Sequence, residues 1–228
     1  MSSGPKRLET DWRMAVAGIS HDLRTRVTRL RLAVELNRML LRESSALAML
    51  RDLEDIDAIL KQLLDFARDE ADEPARLQDL NAIVSDVCRR YQLAGQHVKM
   101  SLGSVQPIHL RGLAIRRLIT NLIDNALRHG GDEAEISTDQ RDGIVTIAVA
   151  DRGPGIRSVN PDELIRPFAR EDSARDKPGS GLGLTVVDRI ARAHGGSLEL
   201  KNRPGGGLLA MVNLAAGAPE EFAQKPPA

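Results

Sequence analysis

Two apolar stripes in the N-terminal part of this chain leave few choices of fold there. Trp12, Val16, Ile19, Leu23, Val27, Leu30 and Val34 recur at spacings of three and four, the pattern of an amphipathic helix. Met49, Leu53, Ile56, Leu60, Leu63 and Ala67 alternate four and three in the same way, and a period near 3.5 suits a coiled-coil-like bundle. The short polar connection Arg42-Glu43-Ser44-Ser45 predicts that the two helices form an antiparallel hairpin. Two helices alone bury two stripes poorly, so the pattern predicts a dimeric four-helix bundle. The acidic run Asp69 to Glu73 ends at Pro74, which stops the second helix and sets the expected first domain at residues 1–73.

His21 stands on the first of these helices. At about 100° per residue it lies roughly 200° from both Ile19 and Leu23, so it points away from the seam. Thr25 follows one turn later on the same face and Asp22 is adjacent. An imidazole held in water beside a carboxylate can be reached by a reactant. An ordinary surface histidine has the same placement, and this helix alone does not separate the two.

Past Pro74 the pattern becomes mixed, and residues 74–215 read as an α/β domain. Asn81 is expected to cap a helix running to about Tyr91. Short strands follow near Val98–Leu102 and Pro107–Leu110, then a helix from about Leu113 to Arg128. Glu135–Thr138 and Ile144–Ala150 read as paired strands around the turn Asp142-Gly143. Residues 152–180 are rich in Gly, Pro and charge and long enough to be a functional loop. A helix over Leu182–His194 and a hairpin of Ser197–Leu200 with Leu208–Leu214 complete the domain. Residues 216–228, with their prolines, are expected to be a disordered tail.

Composition removes several classes of function. Lys plus Arg and Asp plus Glu balance at 32 each, so no bulk charge argues for direct nucleic-acid binding. One Trp, one Tyr and three Phe are too few for a single-strand stacking platform. Cys88 is the single cysteine, which excludes a disulfide framework and a thiolate metal cluster; with Val84 and Val87 it reads as a core filler. No apolar run approaches the ~20 residues needed to span a bilayer, and no signal peptide is visible. The expectation is a soluble, intracellular chain. The Met-Ser-Ser-Gly-Pro opening reads as an added start, with any membrane segments lying outside this sequence.

Three segments of the second domain point to a nucleotide. In Asn121-Leu122-Ile123-Asp124-Asn125-Ala126-Leu127-Arg128, the two asparagines are four apart and share a helix face, with Arg128 a turn beyond. Carboxamide oxygens suit Mg²⁺ when phosphates and water complete its shell. In Asp151-Arg152-Gly153-Pro154-Gly155, a strand-end carboxylate meets glycines that let backbone approach a flat ring, although such a turn is also a common structural one. In Gly179-Ser180-Gly181-Leu182-Gly183-Leu184, alternating glycines bare backbone N–H groups beside a helix start, a phosphate cradle. No Gly-Lys-Ser/Thr follows, so it is not a Walker loop, and it lacks the dinucleotide spacing.

Taken together, these residues resemble the cytoplasmic catalytic core of a bacterial sensor histidine kinase of the EnvZ-like subgroup, over roughly residues 10–214. Ser20 to Thr25 resembles the phosphoacceptor box, and Asn121 to Arg128 the asparagine box. Asp151 to Gly155 resembles the first glycine box, Arg166-Pro167-Phe168 the phenylalanine box, and Gly179 to Leu184 the second glycine box. The resemblance implies a dimerising helical hairpin followed by an α/β sandwich that binds ATP with Mg²⁺ under a mobile lid. It further implies that His21 takes the γ-phosphoryl group, that Asp22 assists as base, and that Thr25 serves a phosphatase activity. Asn121 and Asn125 would hold the metal, and Arg128 would contact phosphate. Asp151 would bind the adenine amine beside Gly153 and Gly155, and Arg170, after Phe168, would meet the γ-phosphate. Gly179, Gly181, Leu182 and Gly183 complete the implied nucleotide contacts.

The implied partners are a second copy and a response regulator, one with a winged-helix DNA-binding output in this subgroup. The implied location is the cytoplasmic side of a bacterial inner-membrane sensor. One position departs from the family pattern: Arg26 stands where the family usually has proline, which predicts a straighter helix and a shifted balance of kinase and phosphatase activities. An ATPase of the gyrase, mismatch-repair or heat-shock type would share the nucleotide fold but leaves the His21 hairpin unexplained. A scaffold with a vestigial pocket is the non-enzymatic alternative, and intact asparagine and glycine boxes argue against it.

Overall fold

The computed structural model describes residues 27–36, 47, 49–50, 53, 56, 60, 73–157, 161–169 and 181–216. The chain divides into two compact units, the first comprising residues 1–69 with 178–182 and the second residues 70–177 with 183–228. In the first unit, residues 27–36 are helical. Val27, Leu53 and Leu60 form a buried cluster with Val34 packed against it, so residues of both predicted stripes meet. The connection at 42–45 and the helix around His21 lie outside the described residues, as does the tail from residue 217.

The second unit is built from β1 (Arg76–Gln78), α1 (Leu80–Leu93), β2 (His97–Leu102), β3 (Ile108–Leu110), α2 (Gly112–Gly130), β4 (Glu133–Arg141), β5 (Ile144–Ala150), a 3-10 turn at Pro161–Ile165, α3 (Gly183–Ala193), β6 (Ser197–Asn202) and β7 (Leu208–Ala215). A five-stranded sheet runs in the order β2-β4-β5-β7-β6. Its β2–β4 pair is parallel and the remaining pairs are antiparallel. The turn between β4 and β5 has positive φ at both Asp142 and Gly143, the backbone of a tight two-residue hairpin and the reason Asp-Gly stands there. β1, too short to carry a periodic signal, pairs with β3 in a separate two-stranded sheet.

Strict alternation of burial marks one face of the large sheet as the core. Ala134, Ile136, Val145, Ile147, Ala210, Val212 and Leu214 point into it and are almost wholly buried. The helices supply the other half: Leu80, Val84 and Cys88 from α1, Ile115, Leu118, Ile119 and Ile123 from α2, and Val187 and Ile190 from α3. This gives the two-layer α/β sandwich predicted for the second domain. Cys88 is a core filler as expected, and burial pushes its thiol up to about 11.

One cap differs from expectation. Asp79, not Asn81, caps α1, its carboxylate accepting from the Ala82 N–H at 3.1 Å. Asn81 lies inside the first turn and its amide is used in tertiary contacts. It donates to Gly103 O at 2.8 Å and accepts from the Thr138 hydroxyl at 2.7 Å, tying α1 to β4.

The start of α2 is held from a distance. Arg111, its N-cap residue, makes no side-chain cap; instead the Glu73 carboxylate accepts from Leu113 N–H and Ala114 N–H at 2.9 and 3.1 Å. A carboxylate at a helix N-terminus satisfies orphan donors and meets the positive end of the dipole. The Arg111 guanidinium donates to Glu73 O and to Ala193 O. Its backbone N–H donates to Nε2 of buried His194, whose Nδ1 sits 2.7 Å from Ile190 O. That pairing assigns Nδ1 as the protonated nitrogen of a neutral ring. The N-terminus of α2 and the C-terminus of α3 are thereby locked together.

Candidate functional site

Helix α2 carries the asparagine pair across the sandwich. Asn121 donates from Nδ2 to Arg117 O at 2.8 Å, which ties its amine end to its own helix and leaves Oδ1 as the outward atom. A Cβ placed on Gly183, the first residue of α3, would come within 3.3 Å of that oxygen. The asparagine segment and the end of the second glycine segment are therefore neighbours, as a shared phosphate site requires. Asn125 lies one turn further along α2 and Arg128 in its last turn, both half-buried. Asp124, between the asparagines, accepts from the Tyr91 hydroxyl at 2.6 Å and so fastens this part of α2 to α1. Burial and the adjacent Asp124 push the Tyr91 phenol well above its ordinary range.

Asp151 follows β5 directly and is only 4% exposed. Its Oδ1 accepts from Gly153 N–H at 2.8 Å and Leu208 N–H at 3.0 Å, two backbone donors that fix the orientation of the carboxylate. Gly130 and Gly207 make room for it, and Gly153 lets the turn pass against the end of α2. A Cβ on Gly130 would lie 2.1 Å from the Asp151 Cβ, one on Gly153 would lie 2.5 Å from His129 O, and one on Gly207 would lie 2.0 Å from Asp151 O. No side chain fits at these positions without moving backbone. Gly155 has φ +70, a left-handed conformation that favours glycine.

The remaining predicted residues fall as follows. Phe168 is exposed at a turn with φ +64, a conformation in which an aromatic residue is strained. Gly181 also has positive φ, and Leu182 is fully buried. The Thr185 hydroxyl donates to Ile165 O at 2.7 Å and joins α3 to the 3-10 turn. His21, Asp22, Thr25, Arg26, Arg170 and Gly179 lie outside the described residues.

Sequence reasoning missed Gly130, Gly207, Asn202 and Arg203. Gly130 lies just past the predicted end of the helix at Arg128, and Gly207 lies in the Pro204-Gly205-Gly206-Gly207 connection of the predicted hairpin. Only their approach to Asp151 shows that they shape the site.

Among the described residues, no group of three or more His, Cys, Asp or Glu side chains is gathered for a metal. The donor set on offer is the amide oxygens of α2. An outward Asn121 Oδ1 with a glycine opposite it fits a hard cation that takes most of its shell from phosphate and water.

Comparison with known proteins bears on the family and the fold. Residues 111–216 match the family described as histidine kinase-, DNA gyrase B-, and HSP90-like ATPase. The NMR structure of the histidine kinase domain of the Escherichia coli osmosensor EnvZ is 30% identical, with a TM-score of 0.51, and the match covers 68% of this chain and 94% of that one. The chain belongs to the sensor histidine kinases. Sensor histidine kinase GtrS of Pseudomonas aeruginosa is 36% identical over 199 residues, covering 87% of this chain and 41% of that protein. The chain thus spans less than half the length of that relative. Full-length ShkA in complex with AMPPNP shares the fold at a TM-score of 0.67 and 21% identity, covering 90% of this chain and 47% of that one. The second unit is accordingly an ATPase domain of the histidine-kinase type. Among the described residues, no helix is long and apolar enough to cross a membrane.

Proposed function

We propose that this chain is the catalytic core of a two-component sensor kinase that binds ATP with Mg²⁺, phosphorylates His21 and passes the phosphoryl group to an aspartate of a response regulator. The observation that carries the reading is the fixed Asp151 carboxylate, with two backbone donors on Oδ1, in the same domain as an Asn121 oxygen facing Gly183. Oδ2 of Asp151 accepts from the adenine amine, and Gly153 and Gly155 line the base. Asn121 and Asn125 hold Mg²⁺ through their amide oxygens, Arg128 contacts phosphate, and Gly179, Gly181, Leu182 and Gly183 form the phosphate segment. When bound, the magnesium neutralises phosphate charge. Phe168 and Arg170 belong to the lid, with Arg170 meeting the γ-phosphate.

A ring nitrogen of His21 forms the bond to γ-phosphorus as the bond to the bridging oxygen breaks and ADP departs, while Asp22 accepts the ring proton. Positioning and charge neutralisation supply most of the catalysis in such a transfer. Residues 1–73 act as the dimerisation and phosphotransfer hairpin, and residues 74–215 as the catalytic domain. Thr25 and Arg26 tune a phosphatase activity toward the regulator, whose output is of winged-helix type. Membrane attachment, on the inner membrane of a bacterium, comes through segments outside this chain.

The test is incubation with γ-labelled ATP and Mg²⁺. Label that is lost in acid and survives base identifies phosphohistidine; acid-stable label, or none, contradicts the proposal.

A further inference from the structure

The turn from Asp151 to Ile156 is gripped at both ends by two consecutive residues that no motif singles out. At the first end, Arg203 donates from Nη1 to Asp151 O at 3.1 Å and from Nη2 to Glu135 Oε2 at 3.0 Å. Its side chain is 17% exposed. The Arg203 hydrogen bond holds the Glu135 carboxyl below the usual range, and the charge of nearby Arg152 adds to this. Glu135 thus stays ionised and keeps the guanidinium in place. At the other end, the Asn202 amide pairs with both polar groups of one residue. Oδ1 accepts from Ile156 N–H at 2.7 Å and Nδ2 donates to Ile156 O at 2.8 Å. A Cβ on Gly155 would lie 2.5 Å from Asn202 Oδ1, so the turn passes directly over this amide. Asn202 ends β6 and Arg203 follows it, and a tight turn continues from them, with Arg203 N–H donating to Gly207 O.

We infer that Asn202 and Arg203 are positioning residues for base recognition: by fixing both ends of the Asp151–Ile156 turn they hold the Asp151 carboxylate where it selects adenine over guanine. The inference rests on the proposed role of Asp151. The chemistry of discrimination requires the fixing. A carboxylate accepts from the 6-amine of adenine and repels the 6-oxygen of guanine, but a carboxylate free to swing away loses that repulsion. Arg203 is the stronger brace, because its bonds are charge-assisted and partly shielded. Asn202 is exposed, and water competes for its bonds. Lysine at 203 cannot reach Asp151 O and Glu135 in the same two-pronged way.

The experiment measures equilibrium binding of ribose-labelled fluorescent ATP and GTP to the full chain. Arg203→Met is expected to weaken ATP binding roughly tenfold and GTP binding much less, so that selectivity falls, and Arg203→Lys should recover part of it. Asn202→Asp, which keeps the shape and removes the donor, should give the same pattern at about threefold. Unchanged ATP affinity and selectivity in Arg203→Met overturn the inference, as does equal weakening of ATP and GTP, the signature of a general structural loss. If Arg203→Met does not fold, Asn202→Asp decides alone, and wild-type selectivity there overturns it. Asp151→Asn separates the two levels. If that variant selects ATP normally, the role of Asp151 itself is wrong. If it loses selectivity while the Asn202 and Arg203 variants keep theirs, only the brace is wrong.

Discussion

Ile115, Leu118, Ile119 and Ile123 of α2 are fully buried within the ATPase unit. On stripes of equal periodicity in the N-terminal unit, Leu30, Met49 and Ile56 remain 56%, 46% and 44% exposed. The periodic signal in the sequence is the same, yet among the described residues the four of α2 are wholly buried and these three of the N-terminal stripes are not. The difference follows from the layers available. A helix lying on a five-stranded sheet has its whole apolar face covered, whereas two helical segments can cover only the parts of their stripes that face each other. Full burial of a Leu, Ile or Met side chain is worth about 1.5–3 kcal/mol, which is what the proposed dimer would gain for each of these residues it covers.

If chemistry also divides between the units, two variants should show opposite defects. His21→Ala is expected to abolish phosphorylation while nucleotide affinity stays near wild type. Asn125→Asp should impair Mg²⁺-dependent nucleotide binding, by adding charge beside the phosphates. Radiolabel incorporation and equilibrium binding check each, and a His21→Ala chain that still labels fully would break the division.

The core comparison is sharpened by truncation. Leu122, 1% exposed, should cost the ATPase unit about 2–5 kcal/mol when changed to alanine. Leu30→Ala should cost an isolated copy under about 1 kcal/mol, since little of that side chain is shielded. Urea unfolding measures both, and equal costs would erase the contrast. Ile56→Asp should then separate the proposed dimer without disturbing the ATPase unit. Sedimentation should show a monomer with unaltered nucleotide affinity, and a variant as dimeric as wild type would remove Ile56 from the interface.

The smallest effect concerns pH. Burial pulls His194 below its ordinary value of 6.5, and Arg111 adds to this. The folded form therefore binds a proton less readily than the unfolded form. The stability it contributes is present above about pH 6.5 and is lost as pH falls below that value toward the lowered folded pKa. The urea midpoint of wild type should drop more steeply on acidification than that of His194→Gln. Parallel curves would show that His194 does not carry the dependence.

Element types in the ATPase unit were legible because β5, the Asp142-Gly143 turn and α2 each obey a local rule. Gly130, Gly207, Asn202 and Arg203 were not, since each acts on a turn distant in sequence and looks locally like a helix end or a loop. Asn81 illustrates the same limit: cap chemistry was read in the right neighbourhood, but Asp79 stands at the cap while Asn81 bonds β4. In the N-terminal unit Val27, Leu53 and Leu60 of the two stripes do meet, but local periodicity carries no information about what covers the exposed Leu30, Met49 and Ile56.

The most direct test of the account is to locate the phosphate. The full chain, treated with Mg²⁺–ATP and digested under alkaline conditions, should yield one phosphorylated peptide with the modification on His21 by mass spectrometry. Phosphate on any other side chain, or none on a chain that binds ATP, would contradict it.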